Sequence, residues 1–466
     1  MSKHSNTPKK SLNTLIQTLA TNRVWQFLLI FLLILVAYSH TLDVPFYYDD
    51  NSSLRNNPAI QGLHFDRLWA QYSARFIGYF TFALNYTIHG YNVGGYHLFN
   101  IVIHLLNAFL VFQLASLLLR TPMLSSNADD HLKKWLPFSA AILFALHPLQ
   151  IQAVTYIVQR LASMAAFFYL ASITAYLGFR LAEKNLSRCL FAGMAVGTFI
   201  LGFLTKQNVL TAPLIWALLE IVCFPVTRIK LAAAAAAALV LPVLGFLLAP
   251  LLVGQPLLEF VDTQTRETTL FSRLDYFLVQ MHVLLDYLIK FAVPLNLTLN
   301  YEYSVPAAIS DVPTLFKTVT HAALIIFAAA SIRKIPWIAF GILFYYIAHL
   351  VESSFIPIRD FGFDHRTYIP NTGLCLAIGW LFLTLSDRYF YRYKFQTAIL
   401  LVILLTMVTW QRNNLWRDPI AFFNHEAKVL DDSFRVHCLL GQAYYEVGDT
   451  SNALESYRKA WPLRES

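Results

Sequence analysis

The chain has 466 residues, 57% of them hydrophobic and 13% charged, with a mean hydropathy of +0.51. Soluble domains carry roughly 25% charged residues, so this composition excludes an ordinary soluble protein and demands lipid around its apolar blocks. A net charge of +8 could suit nucleic acid, but the basic residues are scattered between apolar blocks, where they set topology, and no nucleic-acid partner is expected.

Residues 1–23 form a polar, basic segment (Lys3, Lys9, Lys10, Arg23) that reads as a cytoplasmic tail. The apolar run Trp25–Leu42 follows. It exceeds the 7–15 residues of a signal-peptide core and is expected to remain as an uncleaved anchor, although Ala37-Tyr38-Ser39 resembles a cleavage site. Further spans are expected at Tyr96–Leu119, Leu136–Val158, Leu161–Leu181, Leu190–Leu204, Val209–Phe224 and Leu231–Leu252. Four more follow at Leu315–Ile332, Ile335–Val351, Ile369–Leu385 and Phe395–Trp410. The expected fold is all-α, a polytopic membrane helix bundle of about eleven spans.

Basic residues orient it. With the N-terminus inside, the inner loops carry Arg120, Lys133 and Lys134; Arg180, Lys184 and Arg188; Arg228 and Lys230; Arg333 and Lys334; and Arg388, Arg392 and Lys394. Every inner loop is then basic, giving an N-in, C-out topology. The stretch Asp275–Ala292 repeats Asp275, His282, Asp286 and Lys290 at helical spacing, so it is expected to lie at the interface or line a cavity rather than cross. Outer loops then fall at 43–95, 253–314 and 352–368, within a membrane domain spanning 24–411.

Beyond Trp410 the composition becomes soluble. His437-x-x-Leu440-Gly441-x-x-Tyr444, followed by Gly448, Ala453, Tyr457 and Ala460, matches one tetratricopeptide repeat within an outer segment at 412–466. One repeat cannot stack alone, so it is expected to pack on the membrane domain or on a partner. The four cysteines (Cys189, Cys223, Cys375, Cys438) show no CxxC spacing and read as packing residues.

Several polar residues interrupt this pattern. Asp49 and Asp50 follow the first span among aromatics, which suits a general base or a metal ligand as well as a solvated loop start. His97, Asn100, His104 and Asn107 share one helix face, which must point into the bundle; His97 lies nearest the outer surface. His147-Pro148, Arg160, Lys206, and the loop holding Glu352, Arg359, Asp360, Asp364, His365, Arg366 and Tyr368 all fall on the outer side. Outer cations are not explained by topology, which leaves lipid headgroups or a bound phosphate. Glycine-rich phosphate loops, GxSxG, HExxH and the Rossmann fingerprint are absent, so the phosphate is expected on a lipid.

Taken in order, Tyr48-Asp49-Asp50, Asn56-Asn57-Pro58-Ala59-Ile60, Leu84-Asn85-Tyr86 and Gly95-Tyr96-His97-Leu98-Phe99-Asn100 form a recognisable series. It continues through Leu146-His147-Pro148-Leu149-Gln150, Val158-Gln159-Arg160, Thr205-Lys206, Glu352-Ser353-Ser354 and Asp364-His365-Arg366-Thr367-Tyr368-Ile369-Pro370. The chain thereby resembles the transmembrane and tetratricopeptide-repeat O-mannosyltransferase-like proteins of the GT-C glycosyltransferase superfamily, bacterial type, over residues 25–466. The resemblance implies a GT-C-like fold in a bacterial inner membrane and an inverting transfer from a polyprenyl-phosphate-linked sugar to a protein or glycan hydroxyl. It places catalysis at Asp49 or Asp50, with Asp49 the expected base. Donor phosphate and substrate binding would fall to Arg75, His97, His147, Arg160, Lys206, Glu352, His365, Arg366 and Tyr368. No cofactor is required, although a divalent metal could sit at Asp49/Asp50. Gln152 and Gln207 stand where animal members carry acids. The alternative is a non-catalytic scaffold recruiting partners through its repeat; a transporter fits less well, because the ionisable residues gather on one side.

Overall fold

The computed structural model describes residues 22–126, 128–225 and 266–465. The expected span Leu231–Leu252, the loop with Arg228 and Lys230, most of the N-terminal tail and the start of the 253–314 loop lie outside the described residues. The rest is all-α, and a single antiparallel bridge, Tyr301 with Gly362, is the one β contact among the described residues.

Ten of the expected spans appear as helices: α1 (Arg23–Ala37), α4 (Val93–Leu118), α5 (Asp130–Leu146), α7 (Arg160–Leu181), α8 (Asn185–Phe203), α9 (Ala212–Cys223), α11 (Val312–Ser331), α12 (Pro336–His349), α13 (Asn371–Tyr389) and α14 (Lys394–Leu415). Before α4, the segment expected as the first outer loop folds into α2 (Phe65–Tyr72) and the apolar α3 (Phe76–His89). Five described segments are long and apolar enough to cross a bilayer, or six counting one bent pair. The protein is a multi-pass membrane helix bundle. Its outermost helices show this directly: α14 exposes Leu400, Ile403, Leu404 and Met407, while α8 exposes Leu190, Met194 and Ile200, faces that water would not tolerate.

The bent pair corrects the expected continuous span Leu136–Val158. The helix stops at Leu146 and resumes through a short turn and α6 (Ile151–Thr155), bent by 57°. Pro148 is the cause, because it lacks an N–H and forces His147 into an extended conformation (φ −72°, ψ 128°). His147 Nδ1 then accepts the Leu149 N–H at 3.2 Å, capping the turn.

The core lies among α4, α5, α7, α12 and α13. Inside it, the polar face of α4 is tied to its neighbours at each rung, although His97 Nδ1 and Asn107 Oδ1 are left without a hydrogen-bond partner. Asn100 Nδ2 donates to the Val154 carbonyl (3.0 Å), His104 bonds the Ala145 carbonyl (2.9 Å) and the Tyr368 hydroxyl (2.7 Å), and Asn107 Nδ2 donates to the Ser163 carbonyl (2.8 Å). Such bonds tie helices where lipid offers no competing donor. Close approach of α12 and α13 depends on glycine: a Cβ at Gly341 would lie 2.6 Å from the Gly373 carbonyl oxygen.

The region Asp275–Ala292 is the helix α10 (Arg273–Ala292), opened by a Ser272–Asp275 capping box. One face is buried, where Tyr287 donates to the Phe363 carbonyl (2.9 Å) and Tyr345 to the Leu284 carbonyl (2.7 Å). At the C-terminal end stand α15 (Pro419–Val429) and a helical hairpin of α16 (Phe434–Glu446) and α17 (Thr450–Ala460). Gly441 lies against the Tyr457 ring, and Ala453 and Ala460 are buried. Buried Glu426 on α15 pairs with Arg412 of α14 (3.0 Å) and accepts the Leu299 N–H (2.6 Å), binding this segment to the membrane domain.

Candidate active site

Six of the proposed residues meet in one cleft of about 600 Å³: Asp49, Arg75, Lys206, Glu352, His365 and Arg366. They arrive from the loop after α1, the turn before α3, the break between α8 and α9, the end of α12 and the turn before α13. Leu161, Leu210, Val351 and Ile356 give the cleft an apolar side.

Asp49 is held by backbone: its N–H donates to the Tyr156 hydroxyl at 2.8 Å. Burial raises its pKa above the usual carboxylate value, the Tyr156 hydrogen bond opposes this, Asp360 adds to it, and Arg435 and Arg359 counter it. The preceding Tyr48 has φ +37°, a conformation that costs a bulky residue energy and aims the next side chain. Asp50 turns the other way. Its two oxygens accept the N–H groups of Tyr47 (3.0 Å) and Val158 (2.7 Å), and burial pushes its pKa up to about 8. It clamps the loop after α1 onto the turn before α7 and does not line the cleft. That geometry does not fit a metal shared by the two acids, since Asp50's oxygens are committed elsewhere; no cluster of three or more His, Cys, Asp or Glu side chains stands together among the described residues.

Lys206 Nζ pairs with Glu352 Oε1 at 2.5 Å, and Asn208 Nδ2 donates to the other oxygen at 3.2 Å. Burial disfavours ionised Glu352, but Lys206 and Arg366 outweigh it and keep the carboxyl below its usual range. Arg366 instead binds neutral acceptors: the carbonyls of Phe361 (3.0 Å) and Asp360 (2.8 Å) and the Tyr276 hydroxyl (3.3 Å). Its charge therefore stays available to the cleft. Arg75 makes no hydrogen bond or ion pair among the described residues. His365 is neutral, because burial and then Lys206, Arg366 and Arg75 drive its pKa well below normal. Its Nδ1–H donates to Gln152 Oε1 (2.9 Å), leaving Nε2 as an acceptor. Gln152, one of the two departures from the animal pattern, also donates to the Leu299 carbonyl at 2.6 Å and so braces the cleft wall.

Four other candidates lie outside the cleft. Arg160, expected to grip phosphate, is fully buried; its guanidinium is spent on Asn100 Oδ1 (2.6 Å), the Tyr96 carbonyl (3.0 Å) and Thr81, between the rings of Phe82 and Phe99. His97 bonds the Val44 carbonyl (2.8 Å), and His147 bonds the Phe291 carbonyl (2.8 Å) while stacking on that ring. Tyr368 is locked between His104 and Asn107. These four place backbone and helices rather than facing a ligand. Asp360, named in the 352–368 loop but given no role, lines the cleft, and Tyr276 and Asn208 bond Arg366 and Glu352 without having been expected there; of these two only Asn208 carried a signal, its place in Thr205-Lys206-Gln207-Asn208.

No family model matches the chain. It is 24% identical over 464 residues to the protein O-mannosyl-transferase F38B6.6 of Caenorhabditis elegans, covering 94% of this chain and 63% of that protein, so it spans less than two thirds of the relative's length. The Drosophila melanogaster protein O-mannosyl-transferase Tmtc3 is 29% identical over 34% of this chain and 20% of its own length. The human protein O-mannosyl-transferase TMTC2 is 29% identical over 31% and 17%. Among solved structures, ArnT from Cupriavidus metallidurans, bound to undecaprenyl phosphate, covers 95% of this chain and 76% of its own with a TM-score of 0.41 and 13% identity. The resemblance carried by the motifs is thus met along nearly the whole chain, which is similar to the protein O-mannosyl-transferases.

Proposed function

We propose that the chain is a membrane glycosyltransferase that moves a sugar from a polyprenyl-phosphate donor to an acceptor hydroxyl, inverting the anomeric carbon. The observation that carries this is one cleft joining a partly buried acid, Asp49, to Arg75, Lys206 and Arg366. In this reading, the cations hold the donor phosphate and stabilise charge growing on it as it leaves. Asp49, its basicity raised by burial, takes the acceptor proton while that oxygen attacks. Leu161, Leu210 and Ile356 would receive the first isoprenoid units. The curated relatives' names favour a protein acceptor and mannose.

A second cleft, of about 680 Å³, runs along the other side of the Tyr48–Ser53 loop and is lined by Tyr48, Asn51, Ser52, Arg55 and Gln442. In this reading the acceptor approaches Asp49 from there. Helix direction supports a cleft on the non-cytoplasmic face, with the N-terminus inside. The ends of α8 and α12 and the starts of α7 and α13 gather at it, while their opposite ends carry Arg180, Arg188, Lys334 and Arg388.

The test is transfer from labelled polyprenyl-phosphate mannose by purified protein in detergent, with cell extract as acceptor. Asp49→Asn should lower the rate by roughly 10²–10⁴ while the protein still folds. Full activity in that variant would remove Asp49 from the chemistry, and no transfer by the wild type across polyprenyl-phosphate sugars would favour the scaffold.

A further inference from the structure

The C-terminal hairpin meets the wall of the cleft through Arg435. Arg435, in the first turn of α16, donates from Nη1 to Asp360 Oδ1 at 2.6 Å, and its guanidinium carbon lies 5.6 Å from the centre of the Tyr48 ring. Each partner belongs to a different wall. Asp360 lines the cleft and gives its carbonyl to Arg366, while Tyr48, at φ +37°, precedes Asp49. One planar cation therefore touches both the acid side and the cationic side. Helix stability does not explain its place, because a positive charge in a first turn opposes the helix dipole. A guanidinium suits the task, pairing in its plane with a carboxylate and stacking over a ring with its face.

We propose that Arg435 is a positioning residue of the transfer site, setting the Tyr48–Asp49 segment against the Asp360–Arg366 wall, so that the site is complete only when the hairpin is docked. The inference rests on the glycosyltransferase reading above. The groups around Asp49 fix the sign of its effect. Asp360 raises the carboxyl's proton affinity, Arg435 and Arg359 lower it, Tyr156 bonds it, and Tyr48 and the protonated-leaning Asp50 stand beside it. Loss of Arg435 removes a cation and uncovers Asp360, and both changes favour protonated Asp49.

The experiment follows kcat and kcat/KM against pH for the full chain with labelled polyprenyl-phosphate mannose. Arg435→Ala should move the acid limb upward by about one pH unit and lower kcat about tenfold. Arg435→Lys keeps the charge, so its limb should stay near the wild type while kcat recovers only in part. Lys459→Ala serves as the control, since it removes an exposed hairpin cation that pairs with Glu455 on α17 and leaves the docking contacts intact; its limb should not move. An unchanged profile in Arg435→Ala, or an equal shift in Lys459→Ala, overturns the proposal. If Arg435→Ala does not fold, Arg435→Lys decides, and wild-type kcat and limb in that variant would overturn it. A wild type that transfers nothing sinks the glycosyltransferase reading itself, and this inference with it.

Discussion

Asp49 and Asp50 are adjacent in sequence yet opposed in environment, and their variants should fail differently. Asp50 is a buried acid whose pKa rises from 3.8 to about 8, so the folded state holds its proton where the unfolded state has lost it. The stability it contributes is therefore present below about pH 4 and lost as pH climbs through 8, at up to about 1.4 kcal/mol per pH unit. Asp50→Asn should flatten that slope, measured as melting curves in detergent at pH 5 and pH 8; a slope equal to the wild type's would show that Asp50 does not titrate there. Arg366 allows a second test. Its guanidinium reaches three acceptors from two nitrogens held apart in one plane, a spread that a compact ammonium cannot reproduce, so Arg366→Lys should cut transfer about tenfold despite conserving charge. Retention of the wild-type rate would reduce Arg366 to a simple charge. The sequence pointed to the acid pair, with Asp49 as the expected base, and to the outer cations, which it could not rank. Arg160 and Arg366 look alike on paper; only the fold turns one among Phe82, Phe99 and Asn100 and the other toward the cleft.

Elements were legible wherever hydrophobicity ran unbroken, since a long apolar run has few ways to satisfy its backbone in lipid. Ten expected spans appear as helices for that reason. His147-Pro148 reads as the outer end of the third span, yet the span bounds run on to Val158 because the hydrophobic signal continues across the break. The helix α3 was also missed: its apolar residues sit in a loop assigned to the outside by the count of spans. Element packing carries its own prediction. At Gly341 an added side chain would strike the Gly373 carbonyl and the Ala377 methyl, both too rigid to yield. Gly341→Val should separate α12 from α13 and cost about 1–3 kcal/mol, seen as a lower melting temperature with the helical circular dichroism retained. Unaltered melting would mean that the two helices slide apart without penalty.

For the whole molecule, topology is the property most worth measuring, since every site assignment depends on it. A fluorescent reporter active only in the cytoplasm should be dark when fused after Ser466 and bright when fused after Lys134. The inverse pattern would move the cleft to the cytoplasmic face and end the lipid-donor reading. The link from α15 into the cleft bears on how the protein can be handled. Arg412 pairs with Glu426, Glu426 takes the Leu299 N–H, Leu299 takes Gln152, and Gln152 holds His365. A charge buried in such a chain is tolerable only with its partner in place. Modularity therefore ends at this seam: a membrane part prepared without α15 keeps an orphaned arginine and a slack histidine wall, so neither half stands in for the intact protein in a reconstitution.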